Sequence, residues 1–139
     1  MDTNKKVKHA IKRKFPVIDI DDPLEKAIDL MARSNVSVLF VKADETFIGI
    51  LTITDVMHGL ASGHNMKEVR VSTFMTKCEF TTEHSAKHSC IQLDEEEGVL
   101  PALKLMLEAG VNHLLVTGAG NAPLGIVSSL ELIKLIAAQ

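Results

Sequence analysis

An internal repeat constrains the fold of this chain more than any other feature of its sequence. Residues 75 positions apart match in type, and the match continues after a one-residue insertion in the second half. Such a pattern predicts two copies of one supersecondary unit, each too small to bury its apolar face alone. The matched pairs are Ala27 and Ala102, Leu30 and Leu105, Met31 and Met106, Val36 and Val111, Leu39 and Leu114, Val41 and Val116, Gly49 and Gly125, Ile50 and Ile126, Thr52 and Ser128, and Asp55 and Glu131.

Both copies show the element order β-α-β-β-α. A β-rich run comes first, followed by an apolar stripe at spacings of three and four residues, which predicts an amphipathic helix. Two apolar runs separated by a polar turn then predict a pair of strands, and a second helix follows. We therefore expect a mixed α/β (α+β) protein made of two β-α-β-β-α repeats. In the first copy the predicted elements are 17–20, 24–31, 37–41, 47–51 and 54–60; in the second they are 90–93, 99–109, 112–116, 123–127 and 130–137.

The same patterns suggest the organisation of the chain. Gly63 ends the first copy and Gly110 caps the first helix of the second. Between the copies, residues 69–75 are expected to pack locally. We expect a basic N-terminal arm at 1–14, a first repeat at 15–63, a linker with a polar insertion at 64–89, and a second repeat at 90–139.

Composition excludes some classes of protein. Residues of apolar type make up 46% of the chain, enough for a real core. The formal net charge of −3 argues against a dedicated nucleic-acid binder, and the lysine-rich residues 5–14 are expected to be a solvated arm. No run approaches the roughly 18 apolar residues of a membrane span, and two cysteines do not make a disulfide framework. The cytoplasm is therefore the expected location, without a membrane partner.

A short motif gives the repeat its family resemblance. The run from Gly49 through Thr52 and Thr54 to Asp55 resembles the ribose-phosphate signature of nucleotide-binding CBS (cystathionine-β-synthase) domains. The second copy, from Gly125 to Glu131, keeps the glycine and the first hydroxyl but has Leu130 and Glu131 at the last two positions. Residues 71–76 also resemble the segment that enters a second CBS motif. The resemblance covers roughly residues 15–138.

The resemblance implies a pair of CBS motifs related by pseudo-two-fold symmetry, called a Bateman module. Such pairs commonly form homodimers. They bind adenosine-containing ligands, such as AMP, ADP, ATP or S-adenosylmethionine, in clefts between the motifs. Ligand binding is then transmitted allosterically to an effector protein, which this sequence does not identify. No cofactor is expected beyond such a regulatory ligand.

Two interpretations of the motif residues remain open. Asp55 can accept hydrogen bonds from vicinal ribose hydroxyls, while Thr52, Thr54 and the free N–H groups of the following helix can hold a phosphate. Alternatively, Thr52 with Asp55, and Ser128 with Glu131, are capping boxes that simply begin a helix. The family context favours ligand binding at the first motif and leaves the two interpretations equal at the second.

Further candidates come from the positions that the family uses. Basic residues at the start of the buried strand reach phosphates in some members; here those positions hold Ser37, Asn112 and His113, of which only His113 can be cationic. This shortage of arginine argues against tight ATP binding. Val17, Ile18, Met75 and Thr76 are candidate walls for an adenine, although core packing explains them equally well.

The polar insertion contains atoms that zinc prefers. Cys78, His84, His88 and Cys90 could form a ligand set, and the two histidines are four residues apart. The chain has no Cys-x-x-Cys pair, and Cys90 is expected to begin a strand. We therefore favour a flexible polar loop without metal, a candidate lid or partner surface.

The residues do not suggest an enzyme, because no nucleophile with a base, phosphate-binding glycine loop or pair of carboxylates stands out. The first interpretation is a sensor of an adenosyl ligand. The alternative is a ligand-free CBS pair that acts as a dimerisation or protein-interaction scaffold. Nucleic-acid binding through the N-terminal lysines comes third.

Overall fold

The structure is a computed structural model that describes residues 1–11, 15–78 and 91–138 of the chain. The described residues divide into two compact units. Residues 15–78 form the first unit, and residues 1–11 together with 91–138 form the second. Each unit contains the predicted order of strands and helices, so the mixed α+β class with two repeats is confirmed.

The first unit is built on a four-stranded sheet in the order β1-β2-β3-β4. β1 runs parallel to β2, and the other neighbours are antiparallel. Helix α1 ends at Asn35, whose left-handed backbone (φ 53°) forms the C-cap. The elements are β1 Val17–Asp19, α1 Leu24–Ser34, β2 Val38–Ala43, β3 Thr46–Thr52, α2 Ile53–Ala61, α3 Val71–Phe74 and β4 Thr76–Lys77.

The second unit has a three-stranded sheet in the order β5-β6-β7, again with one parallel and one antiparallel pair. Gly110 ends α4 in the left-handed conformation (φ 69°), as predicted, at the position that matches Asn35. The elements are β5 Gln92–Asp94, α4 Val99–Ala109, β6 His113–Thr117, β7 Pro123–Ser128 and α5 Ser129–Ala137, with 3₁₀ turns at Val7–Ala10 and Ala119–Asn121.

The apolar stripes that define the repeat form the two cores. In each unit, the first helix buries three side chains at helical spacing against the central strands. Removing this apolar surface from water is the main stabilising contribution to each unit. The buried helix residues are Leu24, Ala27 and Met31 in the first unit and Val99, Ala102 and Met106 in the second.

The basic N-terminal segment is not a solvated arm, which corrects our expectation for it. Val7 is fully buried in the core of the second unit. Its N–H donates to the carbonyl oxygen of Glu97 at 2.9 Å, and the N–H of Val99 donates to that of Lys5 at 3.0 Å. The segment thus supplies an acceptor to the first turn of α4, whose N–H groups have no partner within the helix.

The lysines of this segment also have partners in the second unit. Lys6 and Lys8 form ion pairs with Glu96 at 2.6 and 2.7 Å. Lys5 Nζ donates to the carbonyl oxygen of Leu135 at 3.0 Å, near the negative end of α5. These contacts reduce the free positive charge, so they weaken the case for nucleic-acid binding.

The segment around α3 has the same role in the first unit. Val71 is fully buried, and its N–H donates to the carbonyl oxygen of Asp22 at 2.9 Å. The N–H of Leu24 donates to that of Val69 at 2.8 Å. The stretch that precedes each repeat in the sequence therefore completes the first helix of the other repeat.

Candidate functional site

The candidate site is the turn from β3 to α2. Thr52 is the N-cap of α2, and its hydroxyl accepts from the N–H of Asp55 at 3.2 Å. The Asp55 carboxylate accepts from the N–H of Thr52 at 2.9 Å in return. The predicted capping box is therefore present. Its presence does not exclude a ligand, because a carboxylate has about four acceptor positions.

β4 brings a third polar group to this turn. The Thr76 hydroxyl lies 3.2 Å from Oδ2 and 3.4 Å from Oδ1 of Asp55, as a donor to the carboxylate. Burial raises the pKa of Asp55, although hydrogen bonds from Thr52 and Thr76 oppose the rise. Thr54 is exposed in the same first turn of α2. The structure thus places Thr52, Thr54, Asp55 and Thr76 together.

The start of α2 offers a phosphate fewer donors than we expected. The N–H of Ile53 donates to the carbonyl oxygen of Ser37 at 2.9 Å, and that of Asp55 donates to the Thr52 hydroxyl. Two of the N–H groups predicted to be free are therefore already paired. Ser37 itself is exposed, and its backbone holds the start of α2 beside the start of β2.

The matching turn of the second unit is arranged differently. Ser128 is the N-cap of α5, and its hydroxyl accepts from the N–H of Glu131 at 3.2 Å. The N–H of Ser129 donates to the carbonyl oxygen of Asn112 at 3.0 Å. The Glu131 carboxylate lies 3.6 Å from Lys134 Nζ, along the helix rather than back toward its start. A ligand at this turn would therefore compete with a lysine for the carboxylate.

His113 lies in β6 opposite Ser128. It is half-buried, and burial lowers the pKa of its imidazole. Below an ordinary value near 6.5, such a shift keeps the ring neutral at pH 7. The one candidate cation at the strand starts is thus poorly suited to hold a phosphate.

The four candidate adenine walls lie in different environments. Ile18 is 2% exposed in the core of the first unit, so core packing accounts for it. Val17 is 48% exposed, because successive residues of a strand face opposite sides of the sheet. Met75 packs partly buried against the same core. Thr76 contacts Asp55 through its hydroxyl, which favours a polar role.

The predicted zinc ligands do not form a site among the described residues. Cys78 is disulfide-bonded and therefore offers no thiolate to a metal. His84, His88, Cys90 and the rest of the polar insertion lie outside the described residues. Within residues 1–11, 15–78 and 91–138, no three histidine, cysteine or acidic side chains gather as a metal site. Disulfides are uncommon in reducing compartments, so the cytoplasmic location stays a prediction.

The comparisons with known proteins decide the family. The CBS domain family matches residues 7–62 and 84–138. The chain belongs to the CBS domain family. These matches begin at residue 7 rather than 15 and at residue 84 rather than 90, and the repeat boundaries given above stay predictions. No curated protein matches the chain.

Solved structures confirm the fold of a CBS pair. An uncharacterized conserved protein from Pyrococcus horikoshii is 19% identical, with a TM-score of 0.83, covering 100% of this chain and 97% of its own. A putative signal-transduction protein with CBS domains from Burkholderia ambifaria is 24% identical, with a TM-score of 0.81, covering 97% and 96%. A hexameric CBS-CP12 protein from bloom-forming cyanobacteria is 22% identical, with a TM-score of 0.76, covering 95% and 68%.

Sequence reasoning missed how Thr76 contributes to the site. It placed Thr76 beside an adenine, whereas the hydroxyl is bonded to Asp55, 21 positions away in the sequence. The only signal in the sequence was Gly49, since a glycine within a strand often marks a close backbone approach. Separately, no helix within the described part of the chain is long and apolar enough to cross a membrane.

Proposed function

We propose that this protein is a regulatory module that binds an adenosine-containing ligand at the turn from Thr52 to Asp55. CBS pairs are regulatory modules that often bind ligands. The observation that carries the proposal is the half-buried Asp55 carboxylate, whose Oδ1 has only one long hydrogen bond, at 3.4 Å. The two hydroxyls of a ribose would supply the donors that this oxygen lacks.

The surroundings favour a ligand with little negative charge. Burial disfavours the cationic form of His113, and two N–H groups at the start of α2 are already paired. AMP and S-adenosylmethionine fit this environment better than ATP, which needs several cations or donors around its phosphates. Occupancy of the site would then be read by an effector protein, without chemistry at the ligand.

A thermal-shift experiment tests the proposal. The intact protein is melted with AMP, ADP, ATP, S-adenosylmethionine, NAD or GTP, alongside the variants Asp55→Ala and Glu131→Ala. A ligand present at about 100 times its dissociation constant should raise the midpoint by on the order of 10 °C. We expect this shift in the wild type and in Glu131→Ala, and its loss in Asp55→Ala. Equal midpoints with and without every ligand would contradict the proposal.

A self-association module is the second candidate, and exposed apolar side chains on two helices favour it. On α2, Ile53, Met57 and Leu60 are 43%, 60% and 54% exposed at a spacing that forms one stripe. On α5, Leu130 and Ile133 are 59% and 52% exposed. Apolar patches on a surface often mark contacts with other proteins. A protein with this fold, the cyanobacterial CBS-CP12 protein, is a hexamer.

Sedimentation equilibrium distinguishes this candidate. Met57→Glu and Ile133→Glu should shift the protein toward monomers if the two stripes form a homodimer. Leu107→Glu is the matched control, since Leu107 is 84% exposed on α4, outside both stripes. A wild-type protein that is monomeric at all concentrations would contradict the scaffold function.

A further inference from the structure

The bond between Thr76 and Asp55 joins the candidate site to strand β4. Thr76 lies opposite Ile50 in the sheet, and its hydroxyl is directed at the carboxylate of Asp55. Asp55 belongs to α2 and Thr76 to the stretch that follows α3, so the bond links two distant parts of the first unit.

The backbone of Thr76 is held in place by its neighbour in β3. A side-chain carbon at Gly49 would overlap the carbonyl oxygen of Thr76, so the two strands approach closely only because residue 49 is glycine. The N–H of Cys78 donates to the carbonyl oxygen of Ile48 at 3.0 Å, which extends this attachment. The hydroxyl of Thr76 is therefore presented to Asp55 by a fixed backbone.

The hydrogen bonds on Asp55 are unequal on its two oxygens. Oδ2 accepts from the N–H of Thr52 at 2.9 Å and is the nearer oxygen to the Thr76 hydroxyl. Oδ1 has only the longer contact with Thr76. Because the terminal torsion of an aspartate is broad, the carboxylate needs such unequal bonds to keep one oxygen available.

We propose that Thr76 is a positioning residue that holds Asp55 Oδ1 toward the ligand and so makes the site selective for vicinal hydroxyls. This inference rests on the proposed function and assigns ribose selectivity to a hydroxyl outside the signature motif. Without it, the carboxylate can rotate about its terminal torsion and Oδ1 loses its alignment with a diol. A ligand without ribose hydroxyls gains nothing from that alignment.

Isothermal titration with two probes tests the inference. AMP and its 2′,3′-dideoxy analogue are titrated into the intact wild type and into Thr76→Val, which keeps the shape but removes the donor. We expect the affinity for AMP to fall about tenfold in Thr76→Val, as for loss of a hydrogen bond to a charged group. The affinity for the dideoxy analogue should be the same in both proteins. Thr76→Ser, which keeps the hydroxyl, should bind AMP as the wild type does.

Controls separate positioning from a general effect on folding. Thr73→Val makes the same change at an exposed threonine of α3 and should leave AMP binding unchanged. Thr76→Ala replaces Thr76→Val if the valine variant does not fold. Titration of the Asp55 carboxyl carbon by NMR should show a higher pKa in Thr76→Val, because a hydrogen bond that stabilises the charged form is lost.

The failures of the two proposals are distinguishable. If AMP binds the wild type and Thr76→Val equally, the positioning role is overturned and the ligand site stands. An equal loss of affinity for both probes also overturns it, because selectivity then does not depend on Thr76. If AMP does not bind the wild type, the proposed function for this ligand fails and the inference fails with it.

Discussion

The turns that begin α2 and α5 occupy the same place in the two repeats but hold their carboxylates differently. Asp55 bonds back to the N–H of Thr52 and receives the Thr76 hydroxyl. Glu131 is one methylene longer, and its carboxylate lies near Lys134, one helical turn further along. Among the described residues, only the first turn has the reciprocal capping box.

This difference teaches that a repeat can keep its fold while one copy loses the geometry of a site. Both turns satisfy the need of a helix for a cap, which Ser128 meets with its hydroxyl alone. Only the first turn also holds a carboxylate in a half-buried position with an oxygen available. The comparison therefore predicts one ligand site per chain, at the first repeat, and the following experiments are designed to break or sharpen it.

The largest effect is expected at the glycine that admits β4. Gly49→Ala should lower the free energy of unfolding by about 3 kcal/mol, because the added methyl meets the backbone of Thr76, which cannot move without losing β4. Gly118→Ala in the second unit meets only side-chain atoms of Leu124 and Glu95, at 3.0 and 3.1 Å. It should cost less than about 1 kcal/mol. Urea denaturation measures both, and equal costs would show that β4 is not held as described.

Matched core substitutions in the two exchanged segments come next. Val7→Ala and Val71→Ala each remove two buried methyl groups, and each should cost about 2 kcal/mol by urea denaturation. His9→Ala, at an exposed position between these contacts, should cost almost nothing. A negligible cost for Val7→Ala alone would restore the solvated arm and make the two units unlike in this respect.

The caps should differ by a smaller amount. Asp55→Ala removes a reciprocal bond and should cost about 1 kcal/mol, whereas Glu131→Ala removes a partly exposed pair with Lys134 and should cost about 0.5 kcal/mol or less. Thermal or urea unfolding without ligand measures both. A larger cost for Glu131→Ala would reverse the comparison and direct the search for a ligand to the second repeat.

The smallest effects are expected from pH, and they have opposite signs in the two units. His113 has a lowered pKa in the folded protein, so its contribution to stability is present above about 6.5 and is lost as the pH falls. The raised pKa of Asp55 has the reverse consequence, and stability from this group increases as the pH falls toward 3.8. Unfolding of His113→Gln and Asp55→Asn, compared with the wild type from pH 7.5 to 4, should show these opposite differences. Two differences of the same sign would contradict the assignment.

The sequence by itself determined the repeat, the order of the elements and the buried stripes such as Leu24, Ala27 and Met31. It also predicted the capping pattern at Thr52 and Asp55 and the C-cap at Gly110. These features are local, because helical spacing, strand alternation and caps depend on residues within a few positions of one another.

Only the tertiary structure decided the burial of Val7, the partners of the N-terminal lysines and the bond from Thr76 to Asp55. Lys5 meets Leu135 across 130 positions, and Thr76 meets Asp55 across 21. No local spacing encodes such contacts, since they arise when strands pair and segments pack. For the same reason, the shift in the pKa of His113 depends on the burial that the fold imposes, which the residue type alone does not reveal.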